Sequence, residues 1–157
     1  MKLIEGGVCA AKGFVANGIH CGIRKNKTKK DLSLIFSEVE ASAAAVYTTN
    51  LVKGAPLTVT KQHLQNGKAQ AIICNSGNAN TCNPNGEAVA TEMAELLGKE
   101  LNIKAEDVVV ASTGVIGQPM DISELVESVG ILEYISQYAE VEEKGGEYWC
   151  LSPLKEE

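Results

Sequence analysis

Residues 108–111 form the unbroken apolar run Val-Val-Val-Ala, which passes directly into Ser112, Thr113 and Gly114. A continuous β-branched run is typical of a strand that is covered on both faces of a sheet. A chain leaving such a strand carries unpaired backbone N–H groups, and glycine brings no Cβ to shield them. The run therefore predicts a buried strand that ends in a turn rich in hydrogen-bond donors.

Strand and helix patterns alternate along the rest of the chain, which predicts an α/β (α+β) class with helices layered on a mixed sheet. Strands are predicted at residues 13–23, 31–37, 42–48, 56–59, 69–74 and 108–111, and helices at 61–64, 87–101 and from Asp121 or Ser123 to about 138. The strands at 31–37 and 42–48 are expected to pair antiparallel, and Thr60 is expected to cap the first helix.

The chain of 157 residues is long enough for one domain with a substantial core. Aromatic residues make up only 4%, so Ala, Val, Ile and Leu must fill that core. Residues 1–139 are predicted to form the domain. Residues 140–157 form an acidic tail whose periodicity is too weak to assign an element.

The net charge of −6 argues against nucleic acid as a partner, because phosphate favours clustered Lys and Arg. The basic segment 24–30 is predicted to be a solvated hairpin end. No apolar run approaches the roughly 18 residues of a membrane span. The five cysteines form no CxxC pair and follow no secretory leader, so a soluble protein of the reducing cytoplasm is expected.

The cysteines and histidines match no common catalytic or metal pattern. His20 and Cys21 are neighbours on a predicted strand and should point to opposite faces. Cys74 and Cys82 lack a structural zinc spacing, so buried inert cysteines are favoured over a thiol hydrolase. His63 is predicted to lie at the surface. Neither a metal nor a cofactor is predicted.

Thr113 and Gly114 are the candidate catalytic residues. A threonine hydroxyl and a glycine N–H can donate to the negative oxygen of a tetrahedral intermediate, although a simple glycine turn explains the same residues. The Asn-rich segment 75–86 is a second candidate, since side-chain amides orient polar substrates. It is equally typical of a turn-rich loop that needs no packed core beneath it.

Several motifs in the first 120 or so residues together resemble one known family. They are Lys12-Gly13-Phe14, residues 18–23 (Gly-Ile-His-Cys-Gly-Ile), Lys30-Asp31-Leu32, residues 43–50 (Ala-Ala-Ala-Val-Tyr-Thr-Thr-Asn), residues 75–80 (Asn-Ser-Gly-Asn-Ala-Asn) and residues 111–117 (Ala-Ser-Thr-Gly-Val-Ile-Gly). The family is the bifunctional ornithine acetyltransferase / glutamate N-acetyltransferase family of arginine biosynthesis.

The resemblance implies that an acetyl group moves from N-acetylornithine to glutamate, and in some members also from acetyl-CoA, through an acetyl-enzyme. Family members cut themselves into two chains, and the new N-terminal threonine of the second chain is the nucleophile, with its own α-amine as base. Thr113 and Gly114 match the family's oxyanion donors.

The likeness fades from about Glu124, and no threonine follows Thr113. The chain is therefore expected to be the N-terminal part of this fold. Its expected partners are a C-terminal half or second chain carrying the nucleophile, in a hetero-oligomer, and the small molecules N-acetylornithine and glutamate. Whether the chain alone is an enzyme stays open. The alternative function is a truncated, non-catalytic remnant that acts as a binding or interaction module.

Overall fold

A computed structural model describes residues 6–122, 140–144 and 147–151 of the chain. The strands are β1 (Phe14–Ile19), β2 (Leu32–Ser42), β3 (Lys68–Asn78), β4 (Val108–Val115), β5 (Glu140–Lys144) and β6 (Glu147–Leu151). The α-helices are α1 (Ala55–His63) and α2 (Gly86–Leu101), and short 3-10 helices span Gly7–Ala10, Leu64–Asn66 and Ala105–Asp107.

The first four strands form one mixed sheet in the order β1-β2-β3-β4. β2 is antiparallel to both β1 and β3, whereas β3 and β4 are parallel. α2 lies in the connection between the two parallel strands, as a crossover of this kind requires. The predicted mixed α+β sheet is confirmed. None of the helices in the described part of the chain is long and apolar enough to cross a membrane.

The core lies between one face of this sheet and α2, whose predicted helical period is confirmed. Val89, Met93 and Leu97 form its buried stripe. Along β4, Val108 and Val110 are buried while Val109 is half-buried. The neighbouring strand β3 shows the same alternation, since Ile73 is buried and Ile72 is 39% exposed. The expected cover on both faces of β4 is therefore incomplete.

The predicted strand at residues 56–59 is wrong, because these residues belong to α1. Pro56 lies in the first turn, where its missing N–H costs nothing. Thr60 is buried inside α1 and does not cap a helix. Its hydroxyl donates to the Val110 carbonyl at 2.9 Å and accepts from the Val110 N–H at 3.1 Å.

His63 extends this contact to the start of β4, since its Nδ1 lies 2.8 Å from the Val108 carbonyl oxygen. His63 was predicted at the surface, and the structure shows it half-buried, with its ring against β4. β4 is an edge strand, and polar groups on one side of α1 satisfy backbone groups along that edge. A protected edge is one way in which natural sheets avoid unwanted pairing.

The predicted strand at residues 42–48 is also wrong. β2 continues through Ser42 after a register shift between Phe36 and Ala41, and residues 43–48 have no strand structure. Val46 is 99% exposed.

The end of the chain is described only in part. The helix predicted from Asp121 or Ser123 to about residue 138 lies almost wholly outside the described residues. In the segment that the sequence left unassigned, β5 and β6 pair as an antiparallel hairpin. The domain boundary after residue 139 stays a prediction.

Candidate functional site

Thr113 and Gly114 lie at the carboxyl end of β4 and are exposed. The parallel register places Thr113 opposite Ser76 and Gly114 opposite Gly77. Among the described residues, the Thr113 hydroxyl has no hydrogen-bond partner. The carboxyl ends of parallel strands are a common place for ligands in α/β proteins. The geometry therefore leaves an exposed threonine hydroxyl, without a partner among the described residues, where a ligand can approach, while Gly114 remains part of the paired strand.

Gly114 is required by its backbone. It has φ +135, which L side chains rarely adopt, and a Cβ would lie 2.3 Å from the Gly77 carbonyl carbon and 2.6 Å from the Asn78 nitrogen. The main chains of β3 and β4 therefore meet directly at this glycine pair. The close approach of the two main chains explains by itself why residue 114 is glycine. The predicted donor role of Gly114 stays a prediction.

The Asn-rich segment differs from the predicted loop, because its first residues extend β3 and Asn75, Asn78 and Asn80 are buried, although Asn85 near its end is exposed. Asn75 Nδ2 donates to the Asn78 carbonyl at 2.8 Å, and Asn80 Nδ2 donates to the Gly86 carbonyl at 2.8 Å. Asn78 Nδ2 donates to the Gln118 carbonyl at 3.0 Å. The amides of Asn78 and Asn80 thus connect the end of β3 and the residues after it to α2 and to the turn after β4. These hydrogen bonds fix the position of the strand end.

Two oxygens on the helix-covered side of the strand end are buried without a hydrogen-bond partner in the described residues, Asn75 Oδ1 and Ser112 Oγ. The register places these two residues opposite each other. Among the buried asparagines Asn75, Asn78 and Asn80, Asn75 is the one whose side-chain oxygen has no hydrogen-bond partner in the described residues.

Asp31 anchors the loop between β1 and β2. Its carboxylate accepts the Cys21 N–H at 2.6 Å and the Arg24 N–H at 2.8 Å, and its Oδ2 lies 3.0 Å from Nδ1 of His20. Burial alone would raise the pKa of the Asp31 carboxyl. The hydrogen bonds from Arg24 and Cys21, together with the charge of His20, hold that pKa below its ordinary value.

The cysteines do not form a thiol site. Burial, followed by the charge of Asp31, raises the pKa of the Cys21 thiol to about 12, so this thiol is inert near neutral pH. Cys74 is half-buried and Cys82 is exposed, which corrects the expectation of a buried thiol for Cys82. Within residues 6–122 and the hairpin, no group of three potential metal ligands comes together.

Arg24 is the site neighbour that the sequence interpretation missed. It was expected in a solvated hairpin end, but it is half-buried and its Nε donates to Ser76 Oγ at 2.9 Å. Ser76 is the register partner of Thr113. The one available signal was that Arg24 is the only arginine in the chain.

A mixed sheet covered by two helices, with a polar site where its parallel strands end, defines an α+β protein with a candidate ligand site at the sheet edge. The model of the ArgJ family matches residues 15–143. The chain belongs to the ArgJ family.

Curated relatives carry the name "Arginine biosynthesis bifunctional protein ArgJ". The protein of Caldanaerobacter subterraneus is 44% identical over 132 residues, which are 83% of this chain and 32% of the relative. The protein of Gloeobacter violaceus is 52% identical over 124 residues, 78% of this chain and 30% of the relative. The chain thus spans about a third of the length of the curated relatives it matches.

Solved structures confirm the α+β fold. The ArgJ protein of Bacillus halodurans matches with a TM-score of 0.74 and 43% identity, covering 79% of this chain and 65% of that chain. The ornithine acetyltransferase of Mycobacterium tuberculosis, in complex with ornithine, matches with a TM-score of 0.74 and 39% identity, covering 80% of this chain and 68% of that chain.

Proposed function

We propose that this chain is the N-terminal portion of an acetyltransferase of arginine biosynthesis that moves an acetyl group from N-acetylornithine to glutamate. Thr113 and Gly114 supply its oxyanion hole. The observation that carries the proposal is the exposed Thr113-Gly114 pair at a strand end, in a member of the ArgJ family. The complex of the M. tuberculosis relative with ornithine supports the substrate class.

The chemistry requires donors where the acetyl carbonyl oxygen becomes negative. In the proposed step a nucleophile attacks the carbonyl carbon, and the Thr113 hydroxyl and the Gly114 N–H donate to the resulting oxyanion. Preorganised donors are effective because they need no rearrangement as the charge develops. The close approach of Gly114 to Gly77 supports this role, since it holds the main chain in one position.

The nucleophile of this reaction comes from a C-terminal half or a second chain, in a hetero-oligomer. No threonine follows Thr113 in this sequence. A cytoplasmic location is part of the proposal, because the relatives are named for arginine biosynthesis. The proposed acetyltransferase-like domain ends at residue 139.

Complementation tests the proposal. The chain is co-expressed with the C-terminal part of an ArgJ relative, and acetyl transfer from N-acetylornithine to labelled glutamate is measured. We expect transfer only when both chains are present. Thr113→Val should then lower kcat by about 10²- to 10³-fold, since one oxyanion donor is lost. Thr113→Ser keeps the hydroxyl and should retain most activity.

Thr91→Val is the matched control, because Thr91 lies on α2 and its hydroxyl donates only to Glu87 of the same helix. Equal kcat in the Thr113→Val and wild-type complexes would contradict the oxyanion role. A stable complex without any transfer would instead support the non-catalytic binding module. Replacing N-acetylornithine with acetyl-CoA in the same assay shows whether that donor is also accepted.

A further inference from the structure

Arg24 is held in place at the site by its main chain and by its side-chain stem. Its N–H donates to the buried Asp31 carboxylate at 2.8 Å. Its Cγ packs on Gly77, where an added Cβ would lie 2.8 Å from that carbon. Gly77 is the residue against which Gly114 packs. The stem of Arg24 therefore covers the same glycine pair that positions the proposed oxyanion donor.

The guanidinium of Arg24 lies at the carboxyl end of β3. Its Nε donates to Ser76 Oγ at 2.9 Å, and Nη2 also donates to this hydroxyl. Ser76 and Thr113 are register partners, and neighbouring strands lie about 4.8 Å apart. A positive charge thus lies within a few ångströms of the hydroxyl that is proposed to hold the acetyl oxygen.

The guanidinium keeps unused donors. Ser76 takes the Nε side of the planar fork, so Nη1 and the second Nη2 hydrogen have no partner among the described residues. No described carboxylate forms an ion pair with Arg24; the two ion pairs there are His20 with Asp31 and Lys68 with Glu40. A half-buried guanidinium with a free edge is well suited to bind a carboxylate through two parallel hydrogen bonds.

We propose that Arg24 binds the α-carboxylate of the amino-acid substrate, an inference that rests on the proposed acetyl transfer. In N-acetylornithine the acetylated nitrogen and the carboxylate share one carbon, so an acetyl oxygen at Thr113 and Gly114 leaves the carboxylate only a few ångströms away. Glutamate, the acceptor, presents the same carbon with the same carboxylate. One cation therefore serves both substrates and selects α-amino acids over simple amines.

Binding to the full 157-residue chain is tested first, by NMR. Because Arg24 is the only arginine, its Nε–Hε signal needs no assignment. We expect saturable shifts of this signal and of the Gly114 amide with N-acetylornithine, and much weaker ones with N-acetylornithinamide, which lacks the carboxylate. Shifts at Gly114 without shifts at Arg24, equal responses to both compounds, or no saturable shift at all would each overturn the inference.

Steady-state kinetics of the complemented enzyme test the role of Arg24 separately from the acetyl transfer on which it rests. In the complemented enzyme, Arg24→Gln should raise KM for N-acetylornithine by about ten- to a hundredfold and change kcat little, because a charged hydrogen bond to bound substrate is lost. Activity with N-acetylputrescine, which has no carboxylate, should be unaffected. Arg24→Lys keeps the stem on Gly77 and should fall between.

Lys25→Gln, which removes a neighbouring exposed charge, is the control and should leave both constants unchanged. An active wild-type complex in which Arg24→Gln behaves like wild type overturns the role of Arg24 alone. An inactive complex whose Arg24 signal still responds to the carboxylate refutes the transferase function and leaves the carboxylate site standing.

Discussion

At the scale of single residues, two positions hold the strand end in shape. Gly114 lets the main chains of β3 and β4 meet, and Asp31 fastens the loop that carries Arg24. Substitution at either residue should lower the stability of the fold. Position 114 has no room for a Cβ, and position 31 needs two acceptor oxygens.

Gly114→Ala should lower the free energy of unfolding by about 3 kcal/mol or more, because the new Cβ collides with the Gly77 backbone and φ becomes strained. Urea denaturation measures the change. Gly117→Ala is the matched control, since Gly117 also has positive φ (+71) but has open space around it. It should cost about 1 kcal/mol. Equal losses in the two variants would refute a steric role for Gly114.

Asp31→Asn should cost about 1.5–3 kcal/mol, because hydrogen bonds to a charged acceptor are lost. The lowered pKa of Asp31 also predicts pH dependence. The carboxylate contributes stability above its unfolded pKa of about 4, and this stability disappears as the pH falls through the lower folded-state pKa.

Urea midpoints between pH 2 and about pH 7 test this dependence. The wild-type chain should lose more stability on acidification than the Asp31→Asn variant. The exposed Glu38→Gln variant is the control and should follow wild type. Parallel pH curves for wild type and Asp31→Asn would show that the Asp31 carboxylate is not linked to folding.

At the scale of elements, the decisive contact is between α1 and β4. Thr60 and His63 lie one turn apart on α1 and bond backbone groups of Val110 and Val108. α1 therefore positions the edge strand that carries Thr113 and Gly114. Any loosening of this contact should be transmitted along β4 to the candidate site.

Thr60→Val keeps the shape of the side chain but leaves a buried N–H and a buried carbonyl of Val110 without their partner. We expect a loss of about 2–4 kcal/mol in the free energy of unfolding, since each unsatisfied buried group costs about 1–3 kcal/mol. Thr58→Val, on the same helix, is the control because its hydroxyl has no hydrogen bond to any residue that the structure describes. A loss of similar size in both variants would indicate a helix propensity effect instead.

At the scale of the whole molecule, the rate at which the Cys21 thiol is alkylated measures how often the folded chain opens. It is 5% exposed and its thiol has a pKa of about 12, whereas Cys9 and Cys82 are exposed. Since alkylating reagents attack the thiolate, native chains at neutral pH should be labelled at Cys9 and Cys82 long before Cys21.

Peptide mass spectrometry after timed alkylation measures each position. Labelling of Cys21 should accelerate with urea, because opening of the loop or of the whole domain is needed to expose it. Rapid modification of Cys21 in the native chain would contradict its burial. Adding the complementing C-terminal chain should leave the order of the three cysteines unchanged.

Local patterns were sufficient for much of this architecture. The β-branched run at residues 108–111, the apolar stripe of α2 and the strand beginning at Ala69 lie where their periodicity predicts. Thr113 and Gly114 lie near the end of this strand, but the turn expected at them is wrong, because β4 continues through Val115 and pairs with β3 at both residues. Their chemical role remains a prediction.

Contacts between distant segments decided what those patterns missed. The sequence around α1 did not show which of its faces is buried, because the polar Thr60 is buried there by its hydrogen bond to Val110, 50 positions away. Arg24 looks solvated until folding brings it to Ser76, 52 positions away. Asn78 and Asn80 likewise donate to backbone carbonyls outside β3. Apolar periodicity records which face of an element avoids water, whereas a polar side chain gains its partner only when separate strands and helices pack together.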